Sequence, residues 1–195
     1  MKFRTAVRRS TVIIVILAAA VCIGYGYQLV GEILDRKNHP REFEGFVEKY
    51  AAAYGVPEYI LYAVINEESG FRSNKVSDNG RIGLFQIHPD MLDWLNGITK
   101  QELGHGLLYD PDTNIRCGAY ILSYLYMENG AWLPALAVYE AGQAAVDEWE
   151  KIDSLTDSAG ILKTIPDEAT AAFVGRILDS AEMYRTLYYE GNGTT

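Results

Sequence analysis

Two adjacent carboxylates, Glu67 and Glu68, close an apolar stretch and are followed at once by Ser69-Gly70. Glu68 comes seven, four and three residues after Leu61, Val64 and Ile65, which puts it on their stripe if the stretch is helical. A carboxyl at the edge of an apolar helix is desolvated, so its neutral form is favoured and it can serve as a general acid. Glu67 bears the same relation to Ile60, Ala63 and Val64, so spacing alone does not choose between the two. His39, His88 and His105 stand singly, without the spacing of a metal site, and no metal or cofactor is expected. Asp90, Asp93 and Asp110 read as solvated or capping carboxylates.

The elements that would position this carboxylate are mainly helical. Phe43, Phe46, Val47 and Tyr50 have helical spacing up to Gly55, and Pro57 suits the first turn of the next helix, which Ser69-Gly70 ends. Residues 71–89 are the least helical part. Asp78-Asn79-Gly80 signals a tight turn and Gly83 breaks the segment after it, so an irregular loop or small β-hairpin is expected. Asp112 is a candidate cap for a helix carrying Ile115, Leu122 and Leu125 on one face. Trp132 to Tyr139 is apolar nearly all round, the pattern of a buried helix. The last helix is expected over about 167–189, after Pro166.

The 195 residues, 49% hydrophobic, suit one domain plus an extension. The net charge is −9, and setting aside Lys2, Arg4, Arg8 and Arg9 makes the remainder more acidic still. Such a body excludes nucleic acid as a natural partner, because phosphates require a basic face. Cys22 and Cys117 lie in separate segments and predict no disulfide. From Ser10 to Gly31 there is no charged residue. We therefore expect a cytoplasmic basic tail at 1–10, a single transmembrane helix at 11–30, a charged connector at 31–41 and a domain at 42–190 outside the cytoplasmic membrane. A cleaved signal peptide is the rival reading, since Ala18-Ala19-Ala20 offers small residues, but apolarity continues past it. A lipoprotein fits less well, because Val21 precedes Cys22.

Four motifs succeed one another in order: Glu68-Ser69-Gly70-Phe71; Ser77-Asp78-Asn79-Gly80-Arg81-Ile82-Gly83-Leu84-Phe85-Gln86-Ile87-His88-Pro89; Asn114-Ile115-Arg116-Cys117-Gly118; and Ala137-Val138-Tyr139-Glu140-Ala141-Gly142. Together they resemble the soluble lytic transglycosylase family, across approximately residues 43–189. The resemblance implies a mainly α, lysozyme-like domain with the irregular loop beside its cleft. It implies Glu68 as the catalytic glutamate, Ser77, Gln86 and Tyr139 as substrate-binding residues, and a mainly structural role for Asn114. Phe85 replaces the family's methionine and, with Phe71 and Tyr139, would offer apolar surface to sugar faces. Glu140 stands where asparagine is usual. Ile165-Pro166-Asp167-Glu168 is similar to the family's Pro-x-Glu-Thr-x-x-Tyr-Val segment, but Thr170 and Phe173-Val174 fall one residue late.

The resemblance further implies cleavage of peptidoglycan at the β-1,4 bond between N-acetylmuramic acid and N-acetylglucosamine. One carboxyl would act as acid and then as base, leaving a 1,6-anhydromuramic end. Two alternatives stay open: a hydrolytic muramidase of goose-lysozyme type, and an inactive glycan-binding module of a membrane assembly. A tethered domain would work close to the bilayer, with membrane-embedded secretion or division machinery as a candidate partner.

Overall fold

The computed structural model describes residues 2–190, with side-chain surroundings from residue 20 onward. The chain divides into two compact units at Asn38/His39. The first is the helix α1 (Lys2–Asn38). The expected connector is thus helical through Asn38, because no proline interrupts it before Pro40 and Arg36 pairs with Glu32 one turn back at 3.0 Å. Among the described residues no helix is long and apolar enough to cross a membrane. The expected span, residues 11–30, has nearly half of its length outside the residues whose side chains are described.

The second unit is mainly helical, with α2 (Glu44–Tyr54), α3 (Glu58–Ser69), α4 (Pro89–Thr99), α5 (Pro111–Asn129), α6 (Trp132–Ala141), α7 (Gln143–Glu150) and α8 (Glu168–Arg185). No β-strand occurs among the described residues, and of the two expectations for residues 71–89 it is the irregular loop that forms, with isolated bridges from Ile82 to Val76 and Ile87. Helix α3 is the central element: Leu61, Tyr62, Ala63, Val64 and Ile65 are all fully buried, more than one stripe of a surface helix would allow. It packs mainly on α8, while α6 lies between α5 and α8. Burial on every side of α6 follows from its uniformly apolar sequence, with Pro134 to Tyr139 inside.

Helix ends follow local chemistry. Gly55 and Gly70 close α2 and α3 in the left-handed region, at φ 68° and 56°, where a Cβ would be strained. Helix α5 is capped by Asp110, whose side chain accepts from the Thr113 amide at 2.9 Å, and not by Asp112. The helix starts earlier than expected, with Pro111 in its first position, leaving Asp112 to receive Tyr50 Oη at 2.8 Å. Asp167 caps α8 through Thr170. Tyr184 in the last turn of α8 and Tyr188 just beyond it donate to the carbonyls of Pro40 and His39, each at 2.8 Å, joining the end of this unit to its beginning.

Candidate active site

Glu68 occupies the last turn of α3 and is only 8% exposed, whereas its neighbour Glu67 points toward α8, pairing with Arg176 Nε at 3.2 Å. This separates two carboxylates that spacing could not. After Ser69 the chain turns sharply through two left-handed residues, Gly70 and Phe71 (φ 62°), and in the following loop Gly80, Gly83 and Gln86 (φ 48°) also have positive φ. Left-handed backbone in Phe71 and Gln86 costs each about 1 kcal/mol or more. That cost persists because the surrounding packing dictates the conformation.

The loop is braced from three sides. Ser77 closes a tight turn: its hydroxyl accepts from the Arg81 amide at 3.0 Å, and its own amide donates to the Arg81 carbonyl at 3.0 Å. Gln86 Nε2 donates to the carbonyls of Gly83 at 2.7 Å and Lys75 at 3.1 Å. Asn114, at the start of α5, accepts from the Phe85 amide at 2.8 Å and donates to Leu108 O at 2.8 Å and Ile82 O at 3.1 Å. Gly83 fits only because it lacks a Cβ, which would meet Asn114 Nδ2 at 2.2 Å. Tyr139 from α6 donates its hydroxyl proton to the Phe85 carbonyl. Asn114 is thus the clamp of the loop, in keeping with the structural role the resemblance implied.

The electrostatics of Glu68 are set by burial and three charges. Burial pushes its pKa from 4.5 up to about 7; the Arg81 charge opposes this, Glu140 reinforces it and Lys75 opposes it. Arg81 Nη1 lies 3.7 Å from Glu68 Oε1 but 2.8 Å from Glu140 Oε2. Lys75 Nζ binds the Glu68 backbone carbonyl. Glu68 Oε1 is buried without a hydrogen bond, as is Gln86 Oε1. Tyr139 is held well above the ordinary tyrosine range by burial first and the Glu68 charge second, so it remains a neutral phenol.

The predicted site residues therefore divide. Tyr139 lies within electrostatic reach of Glu68, and Ser77 and Gln86 shape the loop that carries Arg81 toward it. Phe85 is a correction: its ring is fully buried, so it cannot offer a flat surface to a sugar. The ring fills the space over Gly118, where a Cβ would stand 2.2 Å from Phe85 Cγ. Phe71 is likewise buried, at 6% exposure, beside Tyr62. His88 caps α4 by accepting from the Asp90 amide, and His105 pairs with Asp93 at 2.8 Å. Sequence reasoning does not single out Arg81. The available signal is a lone cation between the turn at Gly80 and the buried run from Ile82 to Ile87. A separate groove of about 520 Å³ lies beside α4, α5 and α6, lined among others by Met91, Trp94, Tyr124 and Val138.

A helical domain with a buried, proton-holding carboxyl at a helix terminus beside a braced loop is lysozyme-like in plan. Residues 45–161 match the family described as Transglycosylase SLT domain, and the chain belongs to that family. It is 25% identical over 177 residues to the soluble lytic murein transglycosylase of Escherichia coli (strain K12), covering 86% of this chain and 26% of the relative. It is 36% identical over 102 residues to the membrane-bound lytic murein transglycosylase C of Yersinia pestis (strain Pestoides F), covering 50% of this chain and 28% of the relative. The chain thus spans about a quarter of the length of these relatives. Among solved structures, the 70 kDa soluble lytic transglycosylase from Escherichia coli superposes with a TM-score of 0.73 at 24% identity, over 80% of this chain and 26% of the other. An inactive mutant of lytic transglycosylase Slt from Pseudomonas aeruginosa gives 0.67 at 28% identity, over 76% and 24%. The mainly helical, lysozyme-like fold is that of these domains.

Proposed function

We propose that this protein is a peptidoglycan lytic transglycosylase with Glu68 as its acid and then its base. The observation that carries the reading is a buried carboxyl held up to about pKa 7 at the end of α3, with one oxygen free of any hydrogen bond. Such a group holds its proton near neutral pH and can also lose it, as a residue that plays both parts requires. Glu68 donates its proton to the glycosidic oxygen between N-acetylmuramic acid and N-acetylglucosamine as the C1–O bond breaks. The resulting carboxylate takes the proton of the muramic C6 hydroxyl, whose oxygen bonds to C1. The product carries a 1,6-anhydro ring, no water is consumed, and Glu68 ends protonated as it began.

Most glycosidases use two carboxyl groups. Glu140 is the second carboxylate that acts on Glu68, but Arg81 engages both its side chain and its backbone carbonyl. A carboxylate held in that way is a poor base for water, which favours the one-carboxyl route over the hydrolytic one. Ser77, Gln86 and Tyr139 would form the strand-binding loop, the buried Gln86 and Tyr139 by holding it in shape.

The N-terminal helix would be a membrane anchor over residues 11–30, with the basic tail cytoplasmic and the domain outside. Helix α1 is 37 residues, or about 55 Å, long, more than the roughly 30 Å of a hydrocarbon core. In its described part Val21, Ile23 and Tyr27 are exposed at 71%, 60% and 77%. Membrane-embedded secretion or division machinery would lie within reach of a domain so tethered. Turbidity clearing of purified cell walls tests the catalytic reading. The wild type should clear them and Glu68→Gln should not, while still binding glycan; equal clearing by the variant rejects the role.

A further inference from the structure

Arg81 sits between two carboxylates, and its geometry toward them is unequal. Nη1 donates to Glu140 Oε2 at 2.8 Å and Nη2 to the Glu140 carbonyl at 3.3 Å. The same Nη1 approaches Glu68 Oε1 only to 3.7 Å, and that oxygen receives no hydrogen bond. The guanidinium is aimed by the Ser77–Arg81 turn, and Glu140 is fixed in the last turn of α6. Without Glu140, Glu68 is the carboxylate left beside the cation, and a movement of about 1 Å would make the pair a charge-assisted hydrogen bond.

We propose that Glu140 is a positioning residue for the acid: by holding the guanidinium it keeps Arg81 from closing onto Glu68, leaving that carboxyl free to carry and deliver a proton. The inference rests on the reading of Glu68 as the acid and says how this chain, with glutamate at position 140, keeps it one. The charged and titratable groups acting on Glu68 are Lys75 and Arg81 from the loop and Tyr139 and Glu140 from α6. From α5 the loop receives the neutral Asn114, and on α8 Arg176 is engaged with Glu67. Lys75 is anchored on the Glu68 backbone carbonyl, so Arg81 is the cation whose placement Glu140 governs. Removing Glu140 lowers the affinity of Glu68 for its proton in two ways, by ending a direct repulsion and by releasing Arg81. Only the second depends on Arg81, so the two can be separated.

The experiment is a carbon-13 NMR titration of the Glu68 carboxyl in the full chain, its signal assigned by its absence in Glu68→Gln. It is run in the wild type, Glu140→Gln, Arg81→Gln and the double variant, with the pH profile of wall cleavage recorded alongside. Glu140→Gln should lower the Glu68 midpoint by about one pH unit or more and move the alkaline limb of activity down with it. Arg81→Gln should raise the midpoint, and in its background Glu140→Gln should have a much smaller effect. An unchanged midpoint in Glu140→Gln overturns the proposal. So does an equal fall with and without Arg81, which makes Glu140 a direct through-space charge and nothing more. If Glu140→Gln does not fold, Glu140→Asn takes its place with the same expected result. The titration needs no turnover, so wall cleavage persisting in Glu68→Gln overturns the underlying catalytic reading whatever the midpoints show.

Discussion

Replacing Glu68 by glutamine should stabilise the protein, and by an amount that depends on pH. The folded state raises this carboxyl from 4.5 to about 7, chiefly by burial. A raised acid contributes its full share of stability below the unfolded pKa and loses it as pH climbs through the folded value. At about 1.4 kcal/mol per pH unit, that window is worth about 3 kcal/mol, spent on holding a charge in a desolvated place. Glutamine mimics the protonated form and never ionises. At about pH 4 the two proteins should therefore differ only by a small constant, and at about pH 8 the variant should gain about 3 kcal/mol relative to that baseline. Urea unfolding followed by the fluorescence of Trp94, Trp132 and Trp149 measures the difference at each pH. A stability difference that stays flat from acid to alkaline pH refutes the reasoning, because it means the carboxyl titrates alike in folded and unfolded chains.

The same carboxyl predicts that wall-clearing activity falls as pH rises through about 7, as the acid loses its proton, which a pH–rate profile checks. Tyr139→Phe leaves the Phe85 carbonyl without its donor, at a cost of about 1–3 kcal/mol in chemical unfolding, together with a loss of activity from a loosened loop. Gly118→Ala drives a methyl into the Phe85 ring and should cost about 1–3 kcal/mol. Adding Phe85→Met should restore part of that in a thermal melt, since a flexible side chain can yield where a ring cannot.

Much of the helical plan is legible in the sequence because its signals are local. Gly55 and Gly70 stop helices by adopting left-handed backbone, and the unbroken apolar run of α6 announces its own burial. The α5 cap is ambiguous because Asp110 and Asp112 flank the same proline-led start, and only the geometry shows that Asp110 receives the Thr113 amide. Glu67 and Glu68 are inseparable by spacing because a helix that is buried nearly all round has no single stripe. The separation comes from Arg176, more than a hundred residues away. Distance along the chain also hides Arg81, whose partner Glu140 lies 59 residues on. Phe85 reads as a sugar-facing aromatic because it sits in the loop motif. The Gly118 surface against which its ring packs belongs to α5, more than thirty residues further along the chain.

The measurement that bears most directly on Glu68 as a lone acid and base is the mass of the muramic ends released from purified sacculi. The wild type should release ends lacking one water, with the anhydro ring, and Glu68→Gln should release none. Hydrated reducing ends from the wild type, or anhydro ends from the variant, would contradict that role.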